Sequence, residues 1–158
     1  MPEGNRPARI GFALSQLGAL AAGIFAAETA ALGVTPAEAG VVRIIGRSPG
    51  LSQRELAERL GTVQSRVVAL VDGLERGGHV SRARSATDRR VQELDLTPSG
   101  RTLLSALRRA AERQDVALTE GLAPEDVATL AALLARLTAA RALDPAVHPA
   151  YRPRASAE

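Results

Sequence analysis

The chain has 158 residues, 46% hydrophobic and 23% charged, a composition typical of a soluble globular protein rather than a disordered one. It contains no cysteine, which excludes disulfides, thiolate metal sites and thiol-based sensing, and its two histidines, His79 and His148, are too isolated to predict a metal site. All 20 basic residues are Arg, and the net charge of +3 is modest.

The N-terminal region predicts a loose tail followed by an unusually apolar helix. Residues 1–9 are polar and contain Pro and Gly, which is typical of a disordered terminus. Residues 10–34 predict a helix with almost no charge, and its large apolar side chains, such as Leu17 and Phe12, lie on more than one face. In a small protein the second covering surface most readily comes from another subunit. We therefore expect residues 10–34 to form a dimerisation helix.

A secretory signal is the alternative interpretation of this stretch, because Arg6 and Arg9 precede it. Much of the run is Ala and Gly, which favour membrane insertion only weakly, and Ser15 and Gln16 interrupt it. These features favour a cytoplasmic protein with no membrane association.

The next segment predicts a capped helix. Thr35, Pro36 and Glu38 supply an N-cap, a proline at the first helical position and an acid at the third. The helix that follows carries Val41, Val42 and Ile45 and ends at the sequence Ser-Pro-Gly of residues 48–50.

Residues 51–76 predict two short helices joined by a tight turn. Ser52 and Glu55 form a capping box for the first helix, Gly61 ends it, and Thr62 is expected to cap the second helix immediately. The second helix has an apolar face and a polar face. Its apolar residues are Val67, Leu70, Val71 and Leu74, and the opposite face carries Gln64, Ser65, Arg66 and Ala69. Helices separated by one or two residues must cross steeply, which is the helix-turn-helix arrangement.

Residues 79–97 predict a β-hairpin with a basic tip. A strand over residues 79–84 and a strand over residues 91–97 flank a turn that contains Asp88, Arg89 and Arg90. Two guanidinium groups on a turn suit a narrow, negatively charged minor groove. The segment from Arg43 to Arg90 holds ten arginines and five acids, while the rest of the chain holds ten arginines and twelve acids, so the positive charge is concentrated where phosphate binding would need it.

The C-terminal region predicts two more helices. One begins at Pro98 and runs to about Glu120, and the other begins at Pro124. Their expected apolar faces are Leu104, Leu107, Ala111 and Leu118 in the first and Val127, Leu130, Leu134 and Leu137 in the second. The predicted fold class is mainly α with a small β-hairpin wing. We expect a winged helix-turn-helix over residues 35–97, dimerisation helices over 10–34 and 98–141, and disordered tails over 1–9 and 142–158.

Several motifs in this order resemble the MarR family of transcription regulators. They are Leu60-Gly61, Leu70-Val71-Asp72, Leu74-Glu75, Gly78, Val80, Arg82, Asp88-Arg89-Arg90 and Leu96-Thr97-Pro98-Ser99-Gly100. The resemblance implies a two-fold homodimer that represses transcription from a near-palindromic double-stranded DNA operator. It also implies release by a small phenolic or anionic ligand, which binds between the dimer helices and the DNA-binding lobe. We expect no cofactor.

The candidate DNA contacts lie on the two short helices and the hairpin. Arg66 is placed to grip a guanine through two hydrogen bonds, and Arg89 is placed to enter the minor groove with Asp88 orienting its guanidinium group. The full set is Ser52, Gln53, Arg54, Thr62, Gln64, Ser65, Arg66, Arg82, Arg84, Asp88, Arg89 and Arg90. The chain departs from the family pattern at Val63, where the family usually has Ser, and at Ala69 and Gly73, which replace residues that are often polar or basic.

The candidate ligand contacts are Phe12, Phe25, Glu28 and Arg43, although each of them also suits core or solvated surface.

Two other functional classes are alternatives to a transcription regulator. The first is a winged-helix module that binds protein instead of DNA, which the arginines of the hairpin tip disfavour. The second is an enzyme, which the sequence disfavours because it shows no nucleophile–base set, phosphate loop or metal cluster.

Overall fold

The computed structural model of the protein describes residues 9–85 and 90–143. It confirms the predicted fold class, a mainly helical chain with a small antiparallel sheet. The elements are α1 (Ile10–Ala31), α2 (Pro36–Arg47), β1 (Leu51–Ser52), α3 (Gln53–Leu60), α4 (Gln64–Arg76), β2 (Val80–Arg84), β3 (Gln92–Leu96), α5 (Pro98–Leu118) and α6 (Pro124–Ala140).

Both predicted capping boxes are present. The Thr35 amide donates to the Glu38 carboxylate at 2.8 Å, and the Ser52 amide donates to the Glu55 carboxylate at 2.8 Å, so α2 and α3 begin where the sequence predicts. Gly61 ends α3 in the left-handed conformation with φ 62°. Such a conformation favours glycine because an added Cβ strains it.

The predicted cap of α4 is wrong by one residue. The Thr62 amide donates to the Ala57 carbonyl at 3.1 Å, a bond that completes the C-terminal turn of α3. Thr62 therefore belongs to the end of α3, and Val63 becomes the N-cap of α4 without a side-chain hydrogen bond.

The sheet has one strand that the sequence did not predict. Its order is β1-β3-β2, with Leu51 of β1 opposite Leu94 of β3 and Val80 of β2 opposite Leu96. Leu94 and Leu96 are buried, as their alternation with acidic residues predicts. The two-residue β1 is too short to show any periodicity of its own, so only the partner strand reveals it.

The core lies between α2, α3, α4, the sheet and the first half of α5. Ile45, Leu56, Val71 and Leu94 are among its fully buried side chains. On α5 the predicted face is rotated by one residue. Leu103, Leu107 and Ala110 are buried, whereas the predicted Leu104, Ala111 and Leu118 are only partly so. Leu104 instead packs against Gly46 of α2, where an added Cβ would come within 2.5 Å of Leu104 Cδ2.

Helices α1 and α6 contribute little to this core. Along α1 only Phe25 and Thr29 are buried, and α6 has no buried residue. Among the helices of the described residues, α1 alone is long and apolar enough to cross a membrane, with a mean hydropathy of 1.7. Its C-terminal half packs on α5, where the Gln114 amide donates to the Ala21 carbonyl at 2.9 Å. This contact makes α1 part of a helical layer with α5.

Candidate nucleic-acid interface

The outer face of α4 is the centre of the candidate interface. Val67, Val71 and Leu74 anchor the inner face of the helix in the core, which fixes its direction against α3 and α2. The predicted outer residues, Gln64, Ser65, Arg66 and Ala69, are all exposed. The helix therefore presents two hydrogen-bonding side chains and one guanidinium group from its first turn, the part of a recognition helix that contacts base edges.

The N-terminus of α4 carries an exposed apolar side chain. Val63 occupies the N-cap, its backbone is extended, and no side chain caps the first turn. The side chain of Val63 is 66% exposed.

Arg82 of β2 does not point outward from the hairpin. Its guanidinium group forms ion pairs with Asp72 and Glu75 of α4, and its side chain is only 17% exposed. The Nε atom is buried and has no hydrogen-bond partner among the described residues. Arg82 therefore links the hairpin to the recognition helix, whereas the sequence predicted a DNA contact at this position.

The remaining hairpin candidates divide between described and undescribed residues. Arg84 at the end of β2 and Arg90 before β3 are both exposed. The Ser85 amide donates to the Val91 carbonyl at 2.9 Å, which extends the strand pairing by one step. Asp88 and Arg89, the central residues of the predicted tip, lie outside the described residues.

Two of the candidate DNA contacts near the start of α3, Ser52 and Arg54, form hydrogen bonds or ion pairs with neighbouring residues of the same segment. The Ser52 hydroxyl accepts the Glu55 amide and donates to the Glu55 carboxylate at 2.7 Å. Hydrogen bonds from the Ser52 backbone and hydroxyl lower the pKa of Glu55. Arg54 is exposed and pairs with Glu58 at 3.1 Å, and Gln53 and Thr62 are half-buried.

The four ligand candidates do not form one site within a single chain. Phe12 is 64% exposed and Phe25 is buried, and the helical rise between their positions separates them by about 20 Å along α1. Glu28 pairs with Arg113 of α5, and this hydrogen bond lowers the pKa of Glu28. Arg43 lines a cavity.

That cavity lies between α2 and α5 and has a volume of about 280 Å³. Its lining consists of Arg43, Arg47, Leu104, Leu107, Arg108, Ala111 and Glu112. The lining includes three arginines and one glutamate, and within the described residues the side chains of Arg43, Arg47 and Arg108 form no ion pair. Arg43 is a ligand contact that the sequence predicts, whereas Arg47 and Arg108 are not, because only the packing of α5 on α2 brings the three arginines together. A wider groove of about 900 Å³ lies between the end of α5 and the start of α6.

No group of three metal-ligating side chains occurs in the parts of the chain that the structure describes.

The fold defines the class of protein. A helix-turn-helix, a three-stranded wing and long flanking helices together are the features of a winged-helix protein of the kind that binds duplex DNA.

Comparison with known proteins agrees with this class. Residues 32–91 match the model of the MarR family. The transcriptional repressor CouR, solved bound to a 23-mer DNA duplex, is 33% identical with a TM-score of 0.69, over 82% of this chain and 92% of that one. The chain therefore belongs to the MarR family of winged-helix transcription regulators.

Two further relatives extend this comparison. A putative transcriptional regulatory protein for the hcr operon of Thauera aromatica is 39% identical over 105 residues, which are 66% of this chain and 63% of that relative. The chain thus spans less than two thirds of the length of that curated relative. The MarR family protein Rv2887 of Mycobacterium tuberculosis, solved in complex with p-aminosalicylic acid, is 26% identical with a TM-score of 0.67, over 82% of this chain and 98% of that one.

Proposed function

We propose that the protein is a cytoplasmic transcriptional repressor that binds a near-palindromic operator as a homodimer and is released by a small anionic ligand. The observation that carries this proposal is the exposed polar first turn of α4, with Gln64, Ser65 and Arg66, inside the part of the chain where arginines outnumber acids. The relative CouR, solved bound to a DNA duplex, supports duplex DNA as the partner.

The exposed positions of Arg66, Arg84 and Arg90 support individual DNA contacts, and Arg89 is included because of its place in the sequence. Arg66 reads a base edge in the major groove, and Arg84, Arg89 and Arg90 contribute phosphate or minor-groove contacts from the hairpin. Ser52, Gln53, Arg54 and Thr62 contact the backbone beside α3. Arg82 leaves this set because its guanidinium group is committed to α4.

The homodimer is supported by apolar surface that a single chain leaves uncovered. Ile10 is 75% exposed, Phe12 64% and Leu17 50% on α1, and Leu133 is 48% exposed on α6. Contiguous exposed apolar side chains of this kind mark an association surface. Two-fold symmetry then places the operator half-sites about 34–36 Å apart, one helical turn, or a multiple of that distance.

The ligand site is the cavity between α2 and α5. Its three guanidinium groups favour an anion, and Leu104, Leu107 and Ala111 favour an apolar body on that anion. The acid in the Rv2887 complex supports this ligand chemistry. Because α2 belongs to the DNA-binding lobe and α5 runs on towards the dimer helices, a ligand that binds one arrangement of these helices more tightly would change operator affinity.

The test is a salt titration of affinity for an operator selected by the full chain from random-sequence duplexes. Arg66→Ala should reduce discrimination between the operator and a scrambled duplex. Arg89→Ala should weaken binding to both duplexes and flatten the salt dependence by about 0.9 in the log–log slope per lost phosphate contact, or twice that in a dimer.

Arg141→Ala is the matched control, because it removes an exposed arginine at the end of α6, outside the proposed DNA interface. Its binding should equal that of the wild type. A folded wild-type protein that binds no duplex would refute the proposal and favour a protein partner for the winged helix.

A further inference from the structure

Exposed large apolar side chains fall into two groups in this structure. Most lie on α1, on α6 and around the end of α5, where the proposed dimer would cover them. Among the large apolar side chains in the described part of the DNA-binding lobe, residues 35–97, only Val63 at 66% and Val91 at 36% are exposed. Val91 borders the undescribed hairpin tip, whereas Val63 stands alone at the start of α4.

The position of Val63 is unfavourable for the folded chain by itself. Serine, threonine and aspartate are preferred at an N-cap because their side-chain oxygen accepts an amide of the first turn, and valine has no such acceptor. The other helices of the lobe use this chemistry. Thr35 caps α2, Ser52 caps α3, and Thr97 caps α5 through a 3.0 Å bond from the Gly100 amide. The recognition helix alone in the lobe begins without a side-chain cap.

The neighbours of Val63 identify what it would meet on DNA. It directly precedes Gln64, Ser65 and Arg66, and the first residues of a recognition helix contact base edges in the major groove. The C5-methyl group of thymine is the apolar feature that this groove presents. Hydrogen-bonding side chains cannot detect that methyl group, but an isopropyl group can pack against it.

We infer that Val63 determines operator specificity by packing its isopropyl group against the C5-methyl group of one thymine in each half-site. This inference rests on the proposed function and adds one base preference to it. Burying one methyl group corresponds to about a fourfold gain in affinity per half-site, or roughly fifteenfold for a dimer on two half-sites.

The experiment uses the full-length protein and an operator in which each thymine in turn is replaced by uracil in both half-sites. Uracil keeps the hydrogen-bonding edge of thymine and lacks only the methyl group. For the wild type, one replacement position should weaken binding by roughly fifteenfold, measured by fluorescence anisotropy. For Val63→Ala, the penalty for uracil at that position should be smaller than for the wild type, because alanine has less apolar surface to pack against the thymine methyl group.

Val63→Ser separates recognition from folding. The serine hydroxyl restores an N-cap acceptor, so the variant should unfold at a higher temperature than the wild type. It should nevertheless lose the sensitivity to uracil and keep its affinity for unrelated duplexes. A residue with a purely structural role would not show a stabilised fold together with a lost thymine preference.

Two results would overturn the inference while leaving the proposed function intact. In the first, the wild type binds its operator but no uracil replacement weakens binding. In the second, the uracil penalty persists unchanged in Val63→Ala. If the wild type prefers no duplex over another, the proposed function fails first, and the thymine preference fails with it.

Discussion

Replacing Arg82 by methionine tests whether one side chain holds the wing against the recognition helix. Methionine keeps an unbranched stem of similar length and removes the charge, so Asp72 and Glu75 of α4 lose their shared partner. Hydrogen bonds to charged groups contribute about 1.5–3 kcal/mol each when they are sheltered from water. The two carboxylates are 47% and 41% exposed, so they recover much of this energy through hydration.

We therefore expect Arg82→Met to lower the free energy of unfolding by about 2 kcal/mol, which corresponds to about 4–8 °C in melting temperature for a chain of this size. The assay is thermal unfolding followed by circular dichroism at one fixed protein concentration, because the stability of a dimer depends on concentration. Operator affinity is measured below the transition, where both proteins are folded. It should fall because the wing is no longer held at a fixed angle to α4.

Two further variants make this prediction falsifiable. Arg54→Met breaks an ion pair whose members are 82% and 64% exposed, and it should cost less than about 0.5 kcal/mol. Adding Asp72→Asn and Glu75→Gln to Arg82→Met removes the unpaired charges and should restore part of the lost stability. Equal melting temperatures for Arg82→Met and Arg54→Met would refute the argument that partial burial makes the Arg82 pairs strong.

Three further predictions follow from packing, charge and exposure. Gly100→Ala should destabilise the protein by more than about 3 kcal/mol, measured by urea unfolding, because its Cβ would lie 2.0 Å from the backbone oxygen of His79; a melting curve like that of the wild type would contradict this. The bond from Arg113 lowers the pKa of Glu28, so its contribution is present above the ordinary carboxyl range and is lost as the pH falls through the lowered value. The stability difference between wild type and Glu28→Gln should accordingly shrink in acid, and a difference that grows there would reverse the sign of the argument. Light scattering should give twice the chain mass of 16.5 kDa, before and after removal of residues 1–9 and 144–158, and a monomer mass at micromolar concentration would exclude the dimer.

Features that depend on neighbours in sequence could be predicted from the sequence. The capping boxes at Thr35 and Ser52 and the left-handed Gly61 use partners within three or four residues, so local chemistry determines them. The same locality misled the prediction for Thr62, since its hydroxyl suits a cap but its amide completes the turn of α3. Thr62 could serve either as the N-cap of α4 or in the C-terminal turn of α3, and in the structure it lies in the turn of α3.

Features that depend on distant partners could not be predicted in this way. The strand β1 exists because Leu51 pairs with Leu94 of β3. Arg82 packs against α4 because its guanidinium group pairs with two carboxylates of that helix. The cavity between α2 and α5 likewise depends on how two helices, far apart in sequence, pack together. For the DNA surface, the sequence predicted the exposed face of α4 correctly but gave no measure of how exposed Val63 would be.

Because α5 is long, a small rotation at its contact with α2 would produce a larger displacement at its far end. Its 21 residues form a rod about 31 Å long, which begins directly after β3 and ends in the layer that α1 covers. Gly46 allows Leu104 to approach α2 closely, about a third of the way along α5 from its N-terminus. This contact is the point about which α5 would tilt. A tilt of about 5° about Leu104 would move the C-terminal end of α5, which lies about 21 Å away, by about 1.8 Å, roughly half of the rise between neighbouring base pairs. In the proposed homodimer, a ligand in the cavity beside Leu104 would therefore change the distance between the two recognition helices relative to the proposed half-sites.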